Sequence, residues 1–183
     1  RGAKQGDIYA TSSGGGGAIE PLYASEDQKY VTGASRDGKA IVLSVLGTHS
    51  PSTSDQSDVA LLSLADKKLT PVANGPFHED SGDLSPDGRI LAYVSDESGR
   101  SEIYVKALAG GARVQVSNGG GFRPFWRGDG KELLFVSDGA FLAAAVSTKG
   151  DTISAEVPRL LFKLPFVNAA DVSADGQRFL VAL

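Results

Sequence analysis

Two histidines, His49 and His78, are the only imidazoles in this 183-residue chain, and there is no cysteine. A serine-hydrolase mechanism needs a histidine that touches a serine and is oriented by an acid. One common nucleophile turn reads Gly-x-Ser-x-Gly. The nearest stretch, Gly33-Ala34-Ser35-Arg36-Asp37, lacks the closing glycine. His49 falls in the polar stretch 47–58 and His78 in Asn74-Gly75-Pro76-Phe77-His78-Glu79-Asp80, both read as loops. Segments 83–88 and 171–176 read Asp-x-Ser-x-Asp-Gly, like the start of a calcium loop. The glutamate that closes such a loop is replaced by Val94 and Ala182. The run Ser12-Ser13-Gly14-Gly15-Gly16-Gly17 lacks the Gly-Lys-Ser/Thr ending of a phosphate loop and reads as a turn between strands. No metal or cofactor is expected. The remaining chemical option is a propeller hydrolase or lyase with a carboxylate-based site, using clustered carboxylates such as Glu79 and Asp80.

The elements that position these residues are short and numerous. The chain has 23 glycines and 8 prolines, with 41% apolar and 22% charged residues, an ordinary globular balance. The formal net charge of −4 gives no electrostatic reason to expect nucleic acid. No apolar stretch approaches the ~18–20 residues of a membrane helix, so membrane insertion is not expected. The first residue is Arg1 and methionine is absent, which reads as a fragment or a processed chain.

Four motifs recur: Ser35-Arg36-Asp37-Gly38-Lys39, Ser85-Pro86-Asp87-Gly88-Arg89, Arg127-Gly128-Asp129-Gly130-Lys131 and Ser173-Ala174-Asp175-Gly176-Gln177. Their aspartates are spaced by 50, 42 and 46 residues. A period of ~40–50 residues suggests one propeller blade per repeat. Each Asp-Gly pair is a strong hairpin signal, because glycine accepts positive φ and aspartate bonds the turn's own backbone. β-prone runs follow at 40–46, 90–94, 132–136 and 178–183. A second set lies at 8–11, 59–64, 102–108 and 141–147. A more polar third set lies at 69–73, 113–117 and 160–164. The reading is four antiparallel strands per blade, A to D from inside to outside, with Asp-Gly joining A to B.

The expected architecture is therefore an all-β propeller with about four blades, in one domain or a fragment of a larger one. The blades are placed at 28–74, 77–118 and 121–165. A further blade combines 7–27 with 169–183 and would be closed by the N- and C-terminal strands. Such closure removes sheet edges that otherwise invite aggregation. If the ring is open, its ends offer a route to self-association. Trp126, the lone tryptophan, is expected in the core.

The repeats resemble a known family. Ser85-Pro86-Asp87-Gly88-Arg89-Ile90-Leu91-Ala92-Tyr93-Val94-Ser95, followed by Ser101-Glu102-Ile103-Tyr104-Val105, resembles the WD-repeat-like propeller repeat of TolB-type proteins. Phe125-Trp126-Arg127-Gly128-Asp129-Gly130-Lys131-Glu132-Leu133 resembles the next copy. Asp171-Val172-Ser173-Ala174-Asp175-Gly176-Gln177-Arg178-Phe179-Leu180-Val181 is similar to the closing repeat of bacterial propellers, including those that follow serine/threonine kinase domains. The family's Ser-Pro is replaced by Ser35-Arg36 and Arg127-Gly128. The resemblance implies a bacterial module, periplasmic or otherwise extracytoplasmic, that binds proteins or peptides, mostly without chemistry of its own.

A binding module would use one particular face. The D-to-A and B-to-C loops surround the mouth of the central channel, and loops on a rigid scaffold are where binding residues concentrate. The candidates there are Arg123, His78, Glu79, Asp80, Phe122 and Asn168. Arg123 leads, because a guanidinium grips a carboxylate with two parallel hydrogen bonds.

Overall fold

A computed structural model describes residues 7–14, 16–47, 56–111, 113–150, 152–165, 167, 169–173 and 175–182. His49 and Asn168 lie outside them.

The repeated turns form as their residues demand. Gly38, Gly88, Gly130 and Gly176 share φ values of 69°, 70°, 69° and 70°. Each glycine N–H donates to the carbonyl three residues earlier, at 3.0, 2.7, 2.8 and 2.7 Å. In three turns a serine hydroxyl donates to the turn aspartate: Ser35 to Asp37, Ser85 to Asp87 and Ser173 to Asp175. The remaining turn has Arg127 in the serine position. There the guanidinium grips Asp129 through Nε at 3.0 Å and Nη2 at 2.8 Å.

The described strands are β1 (Ile8–Ala10), β2 (Glu20–Tyr23), β3 (Lys29–Ala34), β4 (Ala40–Leu46), β5 (Ser57–Ser63), β6 (Leu69–Ala73), β7 (Glu79–Leu84), β8 (Ile90–Ser95) and β9 (Glu102–Ala107). They continue as β10 (Arg113–Gln115), β11 (Phe122–Trp126), β12 (Glu132–Ser137), β13 (Ala140–Lys149), β14 (Thr152–Ala155), β15 (Arg159–Lys163), β16 (Ala169–Val172) and β17 (Phe179–Ala182). β3-β4-β5-β6 and β7-β8-β9-β10 are four-stranded antiparallel meanders. All six residues of β8 are buried, as a strand covered on both faces requires.

The third sheet departs from four strands. β13 runs for ten residues. Its first half pairs with β15, and its second half turns at Gly150 (φ 59°) into the unexpected strand β14. Ile153 of β14 is buried in the apolar cluster between the second and third sheets, which ties the hairpin to both.

The closing blade also differs from expectation. β1 pairs with β2 and β16 with β17, but as two separate two-stranded sheets. Among the described residues, no strand pairing joins one pair to the other. The contact that anchors the C-terminal pair is instead aromatic. Phe179 packs edge-on against Phe141 and Phe162, with ring centroids 5.2 and 5.0 Å away.

The core lies between sheets rather than within any one of them. Leu43, Val45, Ala60 and Leu62 meet Ile8 and Leu22 of the N-terminal pair. Val42 and Val59 pack on Leu84, Leu91 and Tyr93. Ile90, Ile103 and Val105 pack on Trp126, Leu133 and Phe135. Each sheet is too thin to bury its own faces, so neighbours cover one another, and the result is a fragment of a β-propeller.

Candidate binding site

The site is built on the inner strands. Among the described residues, β3, β7 and β11 each pair on one side only. Each carries a register break at a matching place: between Val31 and Gly33, between Asp80 and Asp83, and between Phe122 and Phe125. A bulge bends its strand and re-aims the side chain it carries. Counted back from the turn aspartates, Val31, Ser81 and Arg123 occupy one repeat position and Tyr30, Asp80 and Phe122 the one before it. Ser81 (φ 53°) and Arg123 (φ 53°) adopt left-handed backbone at these bulges.

Ser81, Phe122, Arg123, Val136, Asp138, Gly139 and Val167 line an open cleft of about 450 Å³. Asp138 (φ 46°) and Gly139 (φ 69°) form the two-residue turn between β12 and β13. Positive φ at both positions matches the twist of the hairpin, which is why Asp-Gly suits it. Val167 comes from the segment between β15 and β16. The cleft thus combines inner-strand bulges, a B-to-C turn and a D-to-A segment. Phe122 is 50% exposed beside the exposed Arg123, so an apolar face adjoins a cation.

The loops around this face are fixed by buried charged side chains. Glu79 is 2% exposed, and its carboxylate accepts the Gly75 N–H at 2.9 Å. Glu102, fully buried, accepts the N–H groups of Gly119 and Gly120 at 3.0 and 2.9 Å, the Ser117 hydroxyl, and Arg100 Nε at 2.6 Å. Burial pushes its carboxyl upward, but the bonds from Ser117, Gly120, Arg100 and Gly119 outweigh it and hold the group below its ordinary value. Lys29 donates to the Ser25 hydroxyl at 2.8 Å and the Asp27 carbonyl at 2.6 Å.

The residues singled out from sequence divide on this geometry. Arg123 and Phe122 line the cleft. Glu79 points inward and braces the 75–79 loop. Asp80 accepts the Ser44 hydroxyl and the Ser81 N–H. The two neighbouring carboxylates thus engage different partners, as the alternation of side chains along a strand requires. The His78 N–H donates to Asp96 at 2.9 Å, while its Nδ1 lies 3.4 Å from the Ser57 hydroxyl. That hydroxyl donates to the Glu79 carbonyl at 2.7 Å, and Asp96 holds the backbone of His78 rather than its ring. The oriented Ser-His-Asp arrangement is therefore not assembled here. Among the described residues no three His, Asp or Glu side chains are grouped to hold a metal ion. No described helix is long and apolar enough to cross a membrane.

Sequence reasoning passed over Ser81 and Asp138. Ser81 was findable as the repeat equivalent of Arg123. Asp138-Gly139 is a fifth Asp-Gly pair, set apart from the repeat period.

No family model matches the chain. TolB of the Tol-Pal system from Xylella fastidiosa strain M12 is 55% identical over 38 residues, covering 21% of this chain and 9% of that protein. The crystal structure of TolB from Acinetobacter baumannii superposes with a TM-score of 0.70 at 19% identity, over 96% of this chain and 42% of that one. An oligogalacturonate lyase solved in complex with manganese aligns with a TM-score of 0.60 at 14% identity, over 87% of this chain and 48% of that one. The chain thus spans less than half the length of either solved protein.

Proposed function

We propose that this run of TolB-like β-propeller repeats is a binding module that docks a protein or peptide at the cleft around Arg123. One observation carries the reading. Of the four non-glycine residues with positive φ among those described, three line this one cleft: Ser81, Arg123 and Asp138. Left-handed backbone costs an ordinary residue about 1–2 kcal/mol, and such strain concentrates at functional sites. The turn accounts for Asp138, whereas the two bulges are where the scaffold re-aims a side chain.

The chemistry of the lining defines the partner. A guanidinium beside a half-exposed phenyl ring suits a carboxylate that carries an apolar neighbour, such as an acidic side chain or a chain terminus. Localisation outside the cytoplasm belongs to the same proposal and is supported by the TolB likeness. The lyase-like reading based on Glu79 and Asp80 gains no support from geometry, because those carboxylates brace a loop and bond Ser44.

The test is fluorescence polarisation with a panel of labelled peptides that pair one acidic residue, internal or C-terminal, with apolar neighbours. A binder from that panel is expected to lose about tenfold in affinity on Arg123→Ala, the scale of one charge-assisted hydrogen bond. Phe122→Ala should weaken it as well. Equal affinity in all three proteins would remove the site.

A further inference from the structure

Of the three asparagines in the chain, Asn74 and Asn118 each precede a glycine. Both are exposed and stand in D-to-A segments, between β6 and β7 and between β10 and β11. In each case a buried carboxylate holds the backbone N–H that follows the asparagine. The Gly75 N–H donates to Glu79 Oε2 at 2.9 Å and to Oε1 at 3.1 Å. The Gly119 N–H donates to Glu102 Oε1 at 3.0 Å. Both glutamate side chains are buried. They come from different elements, the start of β7 and the start of β9, so the two arrangements are not copies of one repeat position.

We propose that Asn74 and Asn118 are self-deamidation sites that the Glu79 and Glu102 carboxylates hold in check. In an Asn-Gly pair the glycine nitrogen gives up its proton to solvent and attacks the asparagine Cγ. The bond from Cγ to the side-chain nitrogen breaks, ammonia leaves carrying a proton from solvent, and a five-membered imide forms. Water then opens the imide at either carbonyl, giving aspartate or isoaspartate. One water is consumed and one ammonia released, with no redox change. Glycine permits the attack because no Cβ crowds its nitrogen. The first requirement is loss of the glycine proton. A carboxylate that accepts this N–H stabilises the protonated form and repels the anion that must replace it.

Burial strengthens the repulsion, because a charge away from water is poorly screened. Each glutamate acts on its own loop only, since Glu79 bonds Gly75 whereas Glu102 bonds Gly119 and Gly120. Either product would put a carboxylate where the loop now carries a neutral amide, and isoaspartate would lengthen the backbone by a methylene. At position 118 that change falls just ahead of Phe122 and Arg123.

The experiment is peptide mapping by mass spectrometry that resolves aspartate from isoaspartate, after incubation in mildly alkaline buffer at a temperature where circular dichroism shows the fold intact. Glu79→Gln should speed deamidation at Asn74 about tenfold and leave Asn118 unchanged, the scale expected when an anionic acceptor becomes a neutral one. Glu102→Gln should do the reverse. Adding Gly119→Ala to Glu102→Gln should slow Asn118 again, because a side chain crowds the attacking nitrogen, while nothing within 4 Å opposes that Cβ in the fold. Where a Gln variant unfolds, the matching Asp variant, with its charge drawn back by one methylene, is read in the same way. Unchanged rates, a slower rate at the matching asparagine, or acceleration at both sites in a folded variant overturns the proposal. The readout involves no partner, so it stands or falls separately from the docking reading.

Discussion

Adding one methyl group at Gly82 tests whether the sheets are held by close packing at their inner strands. A Cβ on Gly82 would lie 2.6 Å from Val59 Cγ1, 2.8 Å from Val42 Cγ1 and 3.2 Å from Leu91 Cδ1. Carbon atoms in contact prefer about 3.5–4.0 Å, so two methyl groups must retreat by roughly 1 Å. Val42, Val59 and Leu91 are fully buried between the first two four-stranded sheets. Both valines are β-branched and stiff at χ1, so rotation gives little relief. Overpacking of this kind costs about 1–3 kcal/mol. The lower entropy of an unfolded alanine returns about 0.4–1 kcal/mol. Gly82→Ala should therefore lose about 1–2 kcal/mol net, or about 2–8 °C in Tm for a chain of this length. Thermal and urea unfolding followed by circular dichroism and Trp126 fluorescence would measure it. The cause is isolated by combining Gly82→Ala with Val59→Ala. If the clash is real, the double variant should be at least ~1 kcal/mol more stable than the two single losses predict. Gly88→Ala is the contrast, since nothing lies within 4 Å of its Cβ but φ is +70°. It should cost about 1 kcal/mol from backbone strain alone and show no coupling to Val59. A neutral Gly82→Ala, or strict additivity with Val59→Ala, would refute the packing argument.

Other positions give independent tests. Glu102→Gln should destabilise the chain at pH 7 by about 1–3 kcal/mol, because a buried charge-assisted network loses its anion. Its carboxyl is held low in the fold, so the stability it adds is present above its ordinary value of 4.5 and lost as pH falls through the lower folded value. Urea unfolding should therefore show the gap between unmodified and Gln proteins narrowing in acid. The Asp129 carboxyl should titrate near 2 by NMR, held down by its hydrogen bond from Arg127, and Arg127→Ala should return it toward 3.8. Glu79→Ala should strip the Gly75 amide of its acceptor and raise its hydrogen exchange by about tenfold or more, while amides of β9 stay protected.

The parts of the fold legible in sequence are those set by local chemistry. An Asp-Gly pair enforces a hairpin wherever it falls, so four copies fixed the turns and the strands beside them. Even the departure at Arg127 follows, since a guanidinium replaces the missing serine as the donor to Asp129. β14 was not legible, because Thr152–Ala155 is short and falls outside the repeat, and its place depends on Ile153 reaching the neighbouring sheet. Closure by the two terminal pairs was a matter of counting strands, which says nothing of whether their edges meet. In the candidate site, Arg123 and Phe122 were readable from the loop order. Glu79 was named with them, but its inward, bracing role was not readable, because it depends on the Gly75 N–H. The buried Lys29 has no local signature, since its partners are a hydroxyl and a carbonyl in a neighbouring turn.

Comparing equivalent positions separates scaffold from site. At the turns the repeats keep aspartate and glycine, and the four glycine φ values agree within 1°. At the inner-strand bulges the backbone break recurs while the side chains diverge: valine, serine and arginine at one position, tyrosine, aspartate and phenylalanine at the one before. If the bulge served only to fit strands around an axis, residues of similar size and polarity would suffice at each copy. A scaffold that repeats its bend but varies what the bend presents is arranged to build an asymmetric surface from symmetric parts. Arg123 is the sole cation in that series, and its neighbour Phe122 is half exposed. Asp83 and Asp171 share a further repeat position, yet Asp83 is enclosed against β11 while Asp171 is exposed and bonds the Val172 N–H beside it. The same residue type thus meets different surroundings according to the sheet that lies against it, so even a repeated position presents a different chemistry at each copy.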